Sequence, residues 1–238
     1  MSANHTRPGG RSAPRACPAV HLIVPIKPLH LAKSRLFSGG ARHPAAHAEL
    51  VAAVALDTVA AARRAEGVAD VVVITSDPRL TTEFTAAGVE VLADVPAAGL
   101  NPALRHGAAE LWPRVARIGA LQADLPALRP DELAAALRAA GSDRSFCPDR
   151  HGTGTTLLLA EPGQPLDPRF GPGSADAHAE SGAKPLLGPW DSLRCDVDTE
   201  TDLAAARALG LGRRTGAVLS GGIGSNHANQ HNGDTKRL

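Results

Sequence analysis

The chain has 238 residues, 43% of them hydrophobic and 21% charged, with a net charge of +1, the profile of one globular domain with tails. No continuous apolar run reaches the roughly eighteen residues of a membrane span. Basic and acidic residues are mixed along the chain, and aromatics are 3% with no tyrosine, which argues against a nucleic-acid or membrane partner. Cys17, Cys147 and Cys195 are odd in number, far apart and without CxxC spacing, which suits a reducing compartment and argues against a cysteine zinc site. Arg7, Arg11 and Arg15 precede no apolar segment of signal length, so the expected location is the cytoplasm.

Residues 1–19, rich in Pro, Gly, Ser and Arg without periodicity, read as a disordered tail. Residues 20–26 predict a first strand, and the loop Lys27-Pro-Leu-His-Leu-Ala-Lys-Ser-Arg35 that follows is too basic and too broken by proline to be core. Only four of the 25 basic residues are lysines, and Lys27 and Lys33 are two of them, which makes this loop a candidate phosphate holder. Residues 49–64 predict a helix with a buried face and Gly67 at its C-cap. Residues 70–75, mostly β-branched, predict a second strand. A short helix at 81–87 stopped by Gly88, a strand at 89–92 and a helix at 101–117 come next. The apolar run Ile118–Leu121 then ends in Gln122 and Asp124 ahead of Pro126, as a buried parallel strand would. Residues 131–140 predict a helix with Pro130, Asp131 and Glu132 at its start and Gly141 at its end. This alternation implies a mostly parallel sheet covered on both faces.

From Ser142 the pattern changes. Residues 146–148 and 155–160 predict strands on either side of the glycine-rich Arg150-His-Gly-Thr-Gly-Thr-Thr156. Residues 161–173 read as a loop, and 174–181 as a short helix capped by Ser174. Residues 186–197 predict an extended segment ending on Asp196 and Asp198. Thr199 and Asp202 form a capping-box pattern for a last helix to Leu209. The folded domain so read spans 20–216, and 217–238 is a polar, low-complexity tail expected to be disordered.

Ligands of open α/β sheets bind beyond the carboxyl ends of the strands, which is where Asp124 falls. Alternation puts Asp196 and Asp198 on one side of their segment, so three carboxylates could converge on Mg²⁺ or Mn²⁺, hard ions that complete their shells with water and substrate phosphates. Taken singly, each acid is more often a helix or loop cap; taken jointly, the metal is favoured. Lys27, Lys33 and Arg35 would neutralise phosphates, the alternative being a solvated basic loop. The turns 152–156 and 170–174 let backbone N–H groups approach an anion, with the Ser174 hydroxyl at a helix start, although each alone is more often a simple turn. Neither a Walker A pattern nor GxGxxG follows the first strand, so a P-loop ATPase and a dinucleotide-dependent dehydrogenase lack support. No histidine has HExxH-type spacing, and His106 reads as part of a polar helix face.

Six motifs then occur in order: Val24-Pro-Ile-Lys-Pro-Leu-His-Leu-Ala-Lys-Ser-Arg-Leu36, Asn101-Pro-Ala-Leu-Arg-His-Gly107, Leu121-Gln-Ala-Asp-Leu-Pro126, Gly152-Thr-Gly-Thr-Thr156, Phe170-Gly-Pro-Gly-Ser174 and Asp196-Val-Asp-Thr199. Through them the chain from about Val20 to Leu211 resembles the phosphoenolpyruvate or 2-phospho-L-lactate guanylyltransferases of coenzyme F-420 biosynthesis, the CofC/FbiD type. The resemblance implies a three-layer, Rossmann-like α/β nucleotidyltransferase fold, similar to GT-A and molybdenum-cofactor guanylyltransferase folds, with a mostly parallel central sheet. It implies GTP and a small phosphorylated three-carbon acid as substrates, the acid attacking the α-phosphorus and pyrophosphate leaving. Carried over, Asp124, Asp196 and Asp198 would hold metal, while Thr156, Gly171 and Ser174 would hold the acceptor's carboxylate and phosphate. Lys27, Lys33 and Arg35 would face the GTP phosphates, and Asn101 and Arg105 would lie near the nucleotide. Phosphoenolpyruvate is favoured over 2-phospholactate and 3-phosphoglycerate, and the labile product admits a contact with the downstream transferase that uses it. The basic loop lacks the glycine-rich signature of the related sugar-phosphate nucleotidyltransferases, so their base recognition does not carry over. Two alternatives stand beside this one: transfer to another acceptor, such as a molybdopterin or sugar phosphate, and a nucleotide-binding regulatory domain without turnover.

Overall fold

A computed structural model describes residues 18–31, 44–95 and 97–224. Its elements are β1 (Val20–Pro25), a 3-10 turn (Leu29–Leu31), α1 (Pro44–Ala62), β2 (Val68–Ile74), α2 (Pro78–Ala86), β3 (Glu90–Leu92), α3 (Leu100–Leu111) and β4 (Ile118–Leu121). There follow α4 (Pro130–Ala140), β5 (Ser145–Pro148), β6 (Thr155–Leu159), α5 (Ser174–Glu180), β7 (Lys184–Pro185), α6 (Asp191–Arg194), α7 (Glu200–Leu209) and α8 (Arg213–Gly224).

The strands form one sheet in the order β3-β2-β1-β4-β6-β5-β7. β1 is parallel to β2 and β4, and β2 to β3; β6 is antiparallel to β4 and β5, and β5 is parallel to β7. The chain builds outward from β1 to β3, then returns through α3 to begin the other side at β4. The order therefore reverses between β1 and β4, which opens a crevice at their carboxyl ends.

Helices cover both faces, as the alternation of elements predicts. On one face Leu22, Val24, Leu157 and Leu159 meet Leu56 and Val59 of α1, Phe84 of α2 and Leu137 of α4. On the other, Ile23, Val72, Ile118 and Leu158 meet Leu104 and Leu111 of α3 and Ala175 of α5. The far side of α1, through Leu50 and Val54, packs on Val197, Leu203 of α7 and Leu219 of α8.

Four elements depart from expectation. α1 begins at Pro44, and its stretch Ala45–Ala62 is long and apolar enough to cross a membrane by length and composition alone. Glu49 and Asp57 break the run, which hides this from a search for continuous apolar stretches; with 56% of the stretch buried in the fold, α1 is a core helix. α3 stops at Leu111, just before Pro113, and Arg117 lies buried. The Arg117 guanidinium donates to the carbonyls of Ala160 (3.0 Å), Gly141 (2.5 Å) and Asp143 (3.1 Å). Residues 186–197 are not extended: Gly188 and Pro189 break the chain after β7, a Cβ at Gly188 would run into the Trp190 ring, and α6 follows as a single turn.

The fourth departure is α8, which occupies part of the expected tail. Asp57 of α1 accepts from the N–H groups of Arg214 (3.2 Å) and Thr215 (2.7 Å), and Leu219 is buried. A tertiary contact thus supplies what a glycine-rich segment lacks in helix propensity. The expected N-terminal tail up to residue 17, with Cys17, and the loop residues Lys33 and Arg35 lie outside the described residues, as does the rest of the C-terminal tail beyond 224.

Candidate active site

A cavity of about 500 Å³ opens at the carboxyl ends of β1 and β4. Leu50, Val54 and Ala55 of α1 give it an apolar wall, Asp124, Asp196 and Asp198 an acidic rim, and residues 153–155 and 170–174 a glycine-rich wall.

The acidic rim is assembled by backbone hydrogen bonds. Gln122 N–H donates to the Thr156 carbonyl (2.9 Å), Gly212 N–H to Pro126 (2.7 Å), and Val197 N–H to Asp124 (3.0 Å). That last bond lays residues 196–198 beside the end of β4. Val197 turns into the core, while Asp196, half-buried, and Asp198, exposed, border the cavity. The alternation expected of the segment therefore holds locally without a strand. Asp202 secures the next residues through the predicted capping box, accepting from Thr199 N–H (2.8 Å) and its hydroxyl (2.8 Å) and from Asp198 N–H (3.2 Å). Burial pushes the Asp202 carboxyl up, but these bonds and the neighbouring Arg150 outweigh it and hold the acid below its ordinary range.

Among the described residues no three His, Cys, Asp or Glu side chains form a ready-made metal cage. The rim does offer hard carboxylate oxygens on one cavity, a donor set that fits Mg²⁺ or Mn²⁺, ions that take one or two protein carboxylates and fill their shells from water and phosphates.

Lys27, exposed at the end of β1, borders the same cavity. The turn behind it is tied down by Asp77, which accepts from Leu29 N–H (2.9 Å) while capping α2 through Arg79 N–H (2.9 Å) and Leu80 N–H (3.1 Å). Burial raises the Asp77 pKa, yet these three bonds prevail and the net direction is down.

The glycine-rich wall adds side-chain ties to its backbone bonds, among them Ala175 N–H to Thr153 (3.1 Å) and Asp149 N–H to Gly154 (3.0 Å). Asp149, at the head of the turn, accepts from Thr153 N–H (3.0 Å) and Gly154 N–H (2.9 Å), and a Cβ on Gly154 would lie 2.5 Å from its Oδ2. Asn101 clamps Phe170 from both sides, donating to its carbonyl (2.9 Å) and accepting from its N–H (2.8 Å); Arg105 donates to Pro168 (3.3 Å). These two candidates therefore hold the loop that carries Gly171, and neither borders the cavity.

Gly171 and Ser174 do border it. Ser174 does not cap α5: Gly173, in the left-handed region at φ 71, takes that position, and Ser174 is the first helical residue. Thr156 sits one residue from the cavity wall. β6 is bulged, with Cys147 opposite Leu157 but Pro148 opposite Thr155, so Thr156 is the extra residue and its hydroxyl donates to the Cys147 carbonyl (3.4 Å). Of these two Thr155 borders the cavity, as does Thr153 in the turn before it.

Behind Thr155 lies His178, fully buried between Phe146 and Phe170. Burial first, then Arg144 and Arg169, push its pKa down to about 4 against the pull of Asp167. Sequence reasoning missed Asp149, Thr155, His178 and the apolar wall of α1. An Asp leading a glycine-rich turn is a recognisable Asx pattern, and His178 follows Ser174 at a spacing that shares one helix face. Nothing local distinguishes Thr155 from Thr156.

Comparison with known proteins agrees with this architecture. The profile of a family described as "Guanylyl transferase CofC like" matches residues 20–220. A phosphoenolpyruvate guanylyltransferase of Salinispora arenicola is 56% identical over 206 residues, covering 84% of this chain and 92% of that protein. One from Thermomonospora curvata is 52% identical over 205 residues, covering 84% and 88%. Among solved structures, a candidate nucleotide-diphospho-sugar transferase of Desulfovibrio desulfuricans superposes with a TM-score of 0.62 at 18% identity, covering 86% of this chain and 95% of that one, which shows the shared fold.

Proposed function

The chain belongs to the CofC-like guanylyl transferase family, and from that premise we propose that it joins GMP from GTP to phosphoenolpyruvate, releasing pyrophosphate, in coenzyme F-420 biosynthesis. The observation that carries this reading is the pairing of an acidic rim with a glycine-rich, hydroxyl-bearing wall across one cavity at the point where the strand order reverses. Two anionic substrates must meet there. An oxygen of the acceptor phosphate bonds to the α-phosphorus of GTP as the bond to the bridging oxygen breaks, and pyrophosphate leaves with the electron pair. The attacking oxygen is already anionic, so the protein has to align and neutralise, not supply a nucleophile.

Asp124, Asp196 and Asp198 would hold Mg²⁺ or Mn²⁺, which when bound supplies neutralisation of phosphate charge. Lys27 faces the triphosphate, and Lys33 and Arg35, close behind it in sequence, would add to the same charge. Gly171 and Ser174 receive the acceptor, with Thr155 and Thr156 at the neighbouring strand end, and Asn101 and Arg105 keep the acceptor loop in place. We place the reaction in the cytoplasm, to which the buried free thiols of Cys147 and Cys195 are suited, and the labile product would pass to a downstream transferase.

The deciding experiment measures pyrophosphate release from GTP and Mg²⁺ with phosphoenolpyruvate, 2-phospholactate and 3-phosphoglycerate offered separately. Release with phosphoenolpyruvate is expected. Release with only one of the others would move the acceptor, and silence with all three while GTP still binds would favour a nucleotide-binding regulatory domain.

A further inference from the structure

The hydroxyls of Thr155 and Ser174 lie side by side in front of a buried histidine. The Thr155 Oγ1 lies 2.9 Å from His178 Nδ1 and 3.3 Å from Ser174 Oγ. The other ring nitrogen, His178 Nε2, accepts from the backbone N–H of Arg169 at 3.0 Å. A backbone N–H can only donate, so Nε2 carries no proton and the neutral ring bears its proton on Nδ1. His178 therefore donates to Thr155. A hydroxyl–hydroxyl contact can run either way, so with His178 on one Thr155 lone pair the Thr155–Ser174 pair keeps one hydroxyl proton to offer outward, whichever of the two donates to the other. Both residues border the cavity.

We propose that His178 is a positioning residue which, held as the Nδ1–H tautomer, donates to Thr155 and so leaves the Thr155–Ser174 hydroxyl pair with a proton to give to an anionic oxygen of the acceptor. That oxygen belongs to the carboxylate or phosphate of a small phosphorylated acid, so the inference rests on the acceptor reading above. The same ring holds the Arg169 N–H through Nε2 and so fixes the loop that carries Gly171. Its neutrality has a structural basis: the ring is walled by Phe146 and Phe170, and Arg144 and Arg169 nearby disfavour a second proton. His178 thus serves the acceptor side of the cavity; what separates it from a merely structural ring is the recovery expected of the N–H-bearing Asn variant.

The test is steady-state kinetics with acceptor and GTP varied separately, on Thr155→Val, Thr155→Ser, His178→Asn, His178→Leu and the Thr155→Val/His178→Leu double variant. A lost hydrogen bond to a charged group predicts a rise of about ten- to a hundredfold in the acceptor KM for Thr155→Val and His178→Leu, with the GTP KM within about twofold. His178→Asn, which can return an N–H towards Oγ1, and Thr155→Ser should recover most of the loss, and the double variant should be no worse than the worse single. Additive losses, an equal rise in the GTP KM, or an Asn variant as poor as Leu would overturn the assignment.

Imidazole ¹⁵N shifts of the wild-type chain test the ring directly, whether or not the variants fold. A neutral Nδ1–H ring between about pH 6 and 8 supports the proposal, and an Nε2–H or charged ring overturns it. Should the wild type use none of the three acids, the acceptor reading falls, while the nitrogen shifts still judge the ring.

Discussion

The two walls that face each other across the cavity differ in how much they lean on side chains. On the acidic rim, backbone bonds such as Val197 N–H to Asp124 and Gly212 N–H to Pro126 set the geometry, with the Asp202 side chain holding the Asp198 N–H. On the glycine-rich wall backbone bonds such as Ala175 N–H to Thr153 and Asp149 N–H to Gly154 are joined by the side chains of Asp149, Asn101 and His178, which hold it from behind. Substitution at the rim should therefore remove chemistry and spare the fold. Substitution behind the other wall should disturb the fold and one substrate together.

The sharpest contrast is Asp124→Asn, expected to lower the transfer rate by on the order of a thousandfold while the unfolding midpoint stays where it was. A variant of near wild-type rate would remove the acid from the chemistry. Next comes His178. Unfolded, its ring takes a proton below about pH 6.5; folded, it resists until about pH 4, so its contribution is complete above 6.5 and is lost as pH falls towards 4. That shift corresponds to about 3 kcal/mol. Urea unfolding at pH 7 and pH 4.5 should show the loss in the wild type and little of it in His178→Leu. Asp77 and Asp202, both held below 3.8, titrate beneath this window. Equal pH dependence in the two proteins would show that the folded ring charges freely.

Asp149→Ala should cost about 2 kcal/mol through two unpaired N–H groups and raise the acceptor KM. If denaturation and kinetics are both unmoved, the glycine turn holds its own shape and the contrast between the walls fails. The smallest effect is expected from Asn101→Ala, about a fivefold rise in acceptor KM from the loss of its clamp on Phe170. A rise confined to the GTP KM would return Asn101 to the nucleotide.

The acid-bearing strand was legible because it is a short apolar run between breakers, and the capping box because its two partners are three residues apart. Such features are local, and local chemistry survives in a linear reading. α8 was not legible, since its helix depends on Asp57, far away in α1. The one-turn α6 defeated the reading of residues 186–197, where apolar residues suggested a strand but Gly188 and Pro189 turn the chain. The family resemblance puts Asn101 and Arg105 near the nucleotide, but their partners in residues 168–170 lie in another part of the sequence, and only the fold shows them bracing a loop. His178 has the same property in stronger form, because all its significance comes from what surrounds it.

The bulge in β6 makes recognition a matter of parity. Leu157 and Leu159 lie on one face of the sheet and Leu158 on the other, so an unbroken alternation would send Thr155 to the side of Leu157. The extra residue at Thr156 returns Thr155 to the side of Phe146 and His178. Deleting one residue there would not merely shorten the strand; it would exchange which threonine faces the substrate. Length changes in this strand should therefore be tolerated in evolution or design only in pairs, or when accompanied by a compensating shift in β5.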